Sequence, residues 1–91
     1  SSTQGEVYIV TNPAWKGWVK VGMAIDAEDR CKGYQTSSPF RDYKLEYKKE
    51  FKDRRSAETT AHRRLERICR EHEGEWFYIN INKVIEVIES I

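Results

Sequence analysis

Apolar and polar positions alternate along this chain, and the period of that alternation changes from segment to segment. Between Gly5 and Asn12, Val7 and Ile9 fall on one face and Tyr8 and Val10 on the other, the period-two pattern of a strand. Asn12-Pro13 ends it, because proline cannot donate to a ladder, and Gly17 permits a tight return. Trp18 to Met23 repeats the pattern, so the two segments predict an antiparallel hairpin. Asp26 then has the chemistry of a helix N-cap, with Glu28 and Asp29 in the first turn where the helix dipole favours acids. That helix is expected to reach about Gln35 and to stop before Ser37-Ser38-Pro39, since the residue before a proline resists the helical region.

From Tyr43 to Lys52 the alternation returns, with Tyr43, Leu45, Tyr47 and Phe51 on one face and charged residues on the other, a third strand. Asp53 or Ser56 opens a long helix ending near His72 and closed by Gly74. Ala57, Ala61, Leu65, Ile68 and Cys69 form its inward stripe. Trp76 to Ile79 reads as a short extended segment. Asn82 is expected to cap a final helix with Val84, Val87, Ile88 and Ile91 facing inward. The order β-β-α-β-α-(β)-α predicts an α+β domain, a small three-stranded antiparallel sheet flanked by helices.

Composition bounds this picture without changing it. The 91 residues suit a single domain over 5–91, with residues 1–4 polar and expected to be a disordered terminus or an expression remnant. Hydrophobic residues at 38% and charged ones at 34% belong to a globular rather than a disordered sequence. No apolar run approaches the roughly 20 residues of a membrane span, and no secretion signal is visible, so an intracellular, cytoplasmic protein is expected. Cys31 and Cys69 lack any zinc-ligand spacing and are expected to be reduced thiols.

The net charge of +1 says little about partners, but its distribution does. Between Arg41 and His72 there are 11 Lys or Arg against 7 Asp or Glu, whereas the remainder is acidic. A basic segment on a near-neutral domain fits either a phosphate-facing surface or an ordinary solvated helix face.

Several chemistry-bearing residues recur in a definite order. Tyr8 lies in the first strand, Lys20-Val21-Gly22 in the second, and Arg30 on the first helix. Glu58 follows on the long helix with His62 one turn later, and then Gly74-Glu75-Trp76-Phe77. Each alone has a plain structural explanation: a packing tyrosine, a solvated arginine, a surface glutamate. Together, with Ser38-Pro39-Phe40 after the first helix, they resemble the GIY-YIG nuclease superfamily, and most closely its T5-orf172-like branch of phages and bacteria. The resemblance runs from Gly5 to Ile79. It departs from the founding motif where Glu6-Val7-Tyr8 replaces Gly-Ile-Tyr and where Lys20 stands in the usual place of a tyrosine.

That resemblance implies a metal-dependent endonuclease domain hydrolysing phosphodiester bonds of DNA. Its catalytic residues would be Tyr8, Lys20, Arg30 and Glu58. Tyr8 would act as base or water-positioning group with Lys20 assisting, and Arg30 would take the scissile phosphate through its fork of donors. Glu58 would hold Mg²⁺, for which Mn²⁺ can substitute; one carboxylate with several waters is a normal Mg²⁺ site. His62 has two readings of equal weight, an orienting or acid–base group and a histidine packing the helix on the sheet. Lys48, Lys52, Arg54, Arg55, Arg63, Arg64, Arg67 and Arg70 are candidates for tracking a phosphate backbone, which confers affinity without sequence choice. DNA is the expected partner, no membrane is, and double-strand cleavage would need further domains, a second copy or a second turnover. Two other readings stay open: a catalytically inactive nucleic-acid-binding module of the same fold, and a small α+β interaction domain.

Overall fold

A computed structural model describes residues 2–91, and the local chemistry of the chain accounts for most of it. The strands β1 (Gly5–Thr11) and β2 (Trp18–Ala24) form the expected hairpin, pairing Glu6 with Ala24 and Val10 with Lys20. Gly17 makes the return with φ of +85°, a conformation that costs a residue without Cβ nothing. Helix α1 (Ala27–Gln35) starts at Asp26, whose side chain accepts from the Asp29 amide. Helix α2 (Arg54–Ile68) starts at Asp53, whose side chain accepts from Ser56 in the same way.

The sheet is larger than expected. It has five strands in the order β3-β1-β2-β5-β4, all antiparallel, rather than three. The third strand is β3 (Lys44–Phe51), and the two additions are β4 (Glu71–Glu73) and β5 (Trp76–Tyr78). They arise because α2 stops at Ile68: Cys69 is already extended, with φ −74° and ψ 159°. The chain then turns through Gly74-Glu75, with Glu73 opposite Trp76 and Gly74 at φ +57°. Glycine at the first central position of a two-residue loop is the signature of a hairpin turn. Gly74 thus closes a hairpin, not the long helix. Ile68 is accordingly left 53% exposed, outside the buried stripe of Ala57, Ala61 and Leu65.

The last helix, α3 (Ile81–Glu89), is capped by Asn80, whose side chain accepts from the Asn82 amide, so the cap lies two residues before the expected one. Val84 and Ile88 are buried, Val87 packs at the margin, and Ile91 is exposed. Both cysteines are free thiols. In the segment expected to be disordered, Ser1 lies outside the described residues. The Thr3 carbonyl accepts from the Arg54 amide, and the Ser2 and Gln4 carbonyls accept from its guanidinium.

Helices cover both faces of the sheet. On one, Val7, Ile9, Val21 and Phe77 pack with α2 and α3; on the other, Tyr8, Val10 and Ala24 pack with α1. A register shift opposite Ile9 and Val10 moves β3 between these layers. Tyr47 and Phe51 join the α2–α3 side, whereas Tyr43 and Leu45 join the α1 side. The extra residue of a bulge breaks the period of two, which is why residues predicted to share a face do not. No helix is long and apolar enough to cross a membrane among the described residues.

Candidate active site

β5 pairs with β2 only over Trp18–Lys20, so β2 has a free edge from Gly22 to Ala24. Val21 sits at the border. Its amide donates to the Glu75 carbonyl, and its own carbonyl accepts from His62 Nε2 at 2.7 Å. A carbonyl can only accept, so this nitrogen of His62 carries the proton. His62 also meets the Phe77 ring edge-on at 5.2 Å. Of its two expected roles, packing the helix on the sheet is the one the structure displays.

Past this border the two faces of the sheet communicate. A cleft of about 480 Å³ opens there, lined by Tyr8 from β1, Arg30 from α1, Arg55 and Glu58 from α2, and Glu75 from the β4–β5 turn. Helices on opposite sides of the sheet therefore bring Arg30 and Glu58 to one space. Lys20 does not line the cleft itself. It reaches its edge through Glu75, with Nζ 2.9 Å from Oε1.

Tyr8 lies almost wholly inside the protein, with its ring across Gly22: a Cβ at position 22 would stand 2.5 Å from the Tyr8 hydroxyl. Only glycine lets the ring lie there. The hydroxyl is hydrogen-bonded to that of Tyr34, one turn after Arg30 on α1. Burial and this bond raise the Tyr8 pKa well above the ordinary phenol value, and Arg30 is the cation that opposes the rise. Tyr8 thus sits in the cleft as a neutral phenol. Arg30 is the cation that acts on Tyr8 across the cleft, while Lys20, expected to assist Tyr8, is paired with Glu75.

Arg30 is exposed and forms no ion pair among the described residues, Asp26 included. It lines the cleft with a guanidinium that carries five donors. Glu58 is the opposite case. Its Oε2 is buried with no hydrogen-bond partner, although a buried carboxylate oxygen nearly always has one. Burial pushes its pKa up; His62, Lys20 and Arg55 pull it down, and Glu75 pushes with burial. A buried, unpartnered carboxylate oxygen beside an open cleft fits a cation ligand. No group of three or more His, Cys, Asp and Glu gathers among the described residues, so such a cation would keep most of its water.

A family model described as the T5orf172 domain matches residues 5–91, nearly the whole chain. The chain belongs to the T5orf172 domain family. This is a GIY-YIG-like, endonuclease-associated family, and the protein is accordingly a nuclease-like domain. No curated protein and no solved structure matches it.

Two residues bonded to site candidates of this T5orf172 domain were not among those the sequence suggested. Tyr34 partners Tyr8, and its place one turn after Arg30 was the available signal. Glu75 was read within a core-closing Gly-Glu-Trp-Phe, which holds for the fully buried Phe77 but not for its acidic neighbour. The basic residues are spread more widely than a single track. Arg54 holds the N-terminal segment, Lys48 pairs with Glu6 and Glu28, and Arg70 lies over the Tyr78 ring. Arg55 lines the cleft.

Proposed function

We propose that this domain is a metal-dependent DNA endonuclease, with its active site in the cleft between α1 and α2. The observation that carries the reading is the convergence there of an uncommitted guanidinium, Arg30, with a buried and unpartnered carboxylate oxygen, Glu58 Oε2. One group suits the anionic phosphodiester and the other a cation, and a hydrolytic site needs both.

Hydrolysis adds a water oxygen to phosphorus, breaks one P–O ester bond and moves one proton from water to solvent or to the leaving oxygen. Arg30 would bind two non-bridging oxygens through its planar fork and neutralise charge that grows in the transition state. Glu58 would be the protein ligand for Mg²⁺ or Mn²⁺, which when bound supplies further positive charge to the phosphoryl oxygens. Tyr8, kept as a phenol, would position the attacking water through an oxygen lone pair. It would accept the water proton only as it releases its own to Tyr34, which is half-buried and offers a path outward. Lys20, fixed by Glu75, would add positive charge at the rim.

The test is nicking of supercoiled plasmid with Mg²⁺ or Mn²⁺ by wild type and by Glu58→Ala. Cleavage by the wild type alone is expected. Binding of DNA by the wild type without nicking in either metal would overturn the reading and leave a nucleic-acid-binding module of the nuclease fold.

A further inference from the structure

Helix α1 is too short to cover its face of the sheet. Nine residues make a helix of about 14 Å, whereas five strands at about 4.8 Å spacing span about 19 Å. It packs on β1, β2 and β3. The β5 side of the same face is left to aromatic rings: Trp18 and Tyr78 stand opposite each other in the register, and Trp76 stands opposite Lys20. Trp15 from the β1–β2 loop folds over this area, 5.5 Å from Trp76 and 6.3 Å from Tyr43. Between Trp15, Trp18, Tyr43 and Trp76 is an open slot of about 280 Å³, with Glu73 at its rim.

Trp15 is 48% exposed, yet its loop is fastened. Its amide donates to the Asn12 carbonyl and its carbonyl accepts from the Trp18 amide. The buried Asn12 in turn accepts from Ala14 and donates to Asp42. A large apolar ring held out towards solvent on a braced loop is preorganised for a ligand.

We infer that this slot stacks an unpaired nucleobase of the strand bound at the cleft. Aromatic faces accept any base, and such stacking holds single-stranded nucleic acid without reading its sequence. Continuity with the cleft favours this occupant. Trp76 directly follows Glu75, which lines the cleft, and the Lys20 ammonium lies 5.6 Å from the Tyr34 ring centroid and 5.9 Å from that of Trp76. Glu73 can accept from the exocyclic amino group of a base, away from the phosphates. The inference rests on the nuclease reading for the strand's path, and it narrows the substrate class to DNA with unpaired bases, such as flaps, bubbles or single strands.

Binding in EDTA separates the slot from cleavage. The assay is fluorescence anisotropy of one labelled mixed-sequence oligonucleotide, single-stranded and as a blunt duplex, with quenching of the protein's own tryptophan fluorescence. The single strand is expected to bind more tightly and to quench, and Trp15→Ala is expected to weaken single-strand binding about tenfold with little change for the duplex. Trp15→Phe should keep most of the preference. Equal affinity for the two forms without quenching by wild type would overturn the inference, as would quenching by tetramethylammonium alone, which would make the slot a cation cage. Failure of the wild type to nick plasmid while the single-strand preference holds would remove the nuclease reading and leave the stacking site standing.

Discussion

The Tyr8 ring occupies the space that a side chain at Gly22 would need, with Tyr8 Cζ 2.7 Å from the position of a Cβ there. Tyr8 is buried and tied to Tyr34, so its ring has no ready place to move. Gly22→Ala is therefore expected to destabilise the fold by about 1–3 kcal/mol, the usual cost of overpacking. Urea unfolding checks this, and a variant as stable as wild type would show that the ring yields.

Arg30 is exposed and forms no ion pair among the described residues, so the fold does not depend on it. Arg30→Ala should change stability by no more than about 0.5 kcal/mol while abolishing nicking. Arg30→Lys should recover only part of the activity, because an ammonium cannot bridge two phosphate oxygens as a guanidinium does. Full activity of Arg30→Ala in the plasmid assay would remove it from the site.

Burial raises the Glu58 pKa above its ordinary 4.5, so the folded state holds that proton more tightly than the unfolded chain does. This contribution therefore costs stability as pH rises from below the ordinary value through the raised one, and the cost persists at neutral pH. Glu58→Gln is expected to be more stable than wild type at neutral pH in EDTA, with the advantage fading below about pH 4. Urea midpoints at several pH values measure it; a destabilised variant at neutral pH would contradict the assignment.

Lys20 and Glu75 form a half-exposed pair, with side-chain exposures of 18% and 45%. Solvent screening limits such a pair, and a double-mutant cycle with Lys20→Ala and Glu75→Ala should give a coupling of about 0.2–1 kcal/mol in unfolding. If Lys20 assists the chemistry, nicking by Lys20→Ala should fall by at least about tenfold, more than so small a stability loss can explain.

Where a residue acts on its immediate neighbours, the sequence was legible. Asp26 and Asp53 begin their helices by accepting from the amide three residues on, and Asn12-Pro13 with Gly17 marks the first hairpin. Ambiguity entered where one residue type serves two purposes. Gly74 at positive φ can end a helix or turn a hairpin, and strands as short as Glu71–Glu73 and Trp76–Tyr78 show no period of two. Asn80 and Asn82 are equivalent as caps until it is seen which one accepts a bond. The bulge at Ile9/Val10 depends on pairing between distant strands and left no local mark.

Of the site candidates, Tyr8, Arg30 and Glu58 meet in one cleft, and Lys20 is reached through Glu75. The Tyr8–Tyr34 bond was signalled only by Tyr34 standing one turn after Arg30, and the Lys20–Glu75 relay has no sequence spacing that announces it.

The short pairing of β5 also has a dynamic consequence. Because Arg30 rides on α1 and Glu58 on α2, a ligand held by both would be a cross-brace between helices on opposite faces of the sheet. Amide hydrogen exchange should then slow in α1 and in the Gly22–Ala24 end of β2, whose β5-side edge is free, together when that ligand binds, although no single helix holds the whole site.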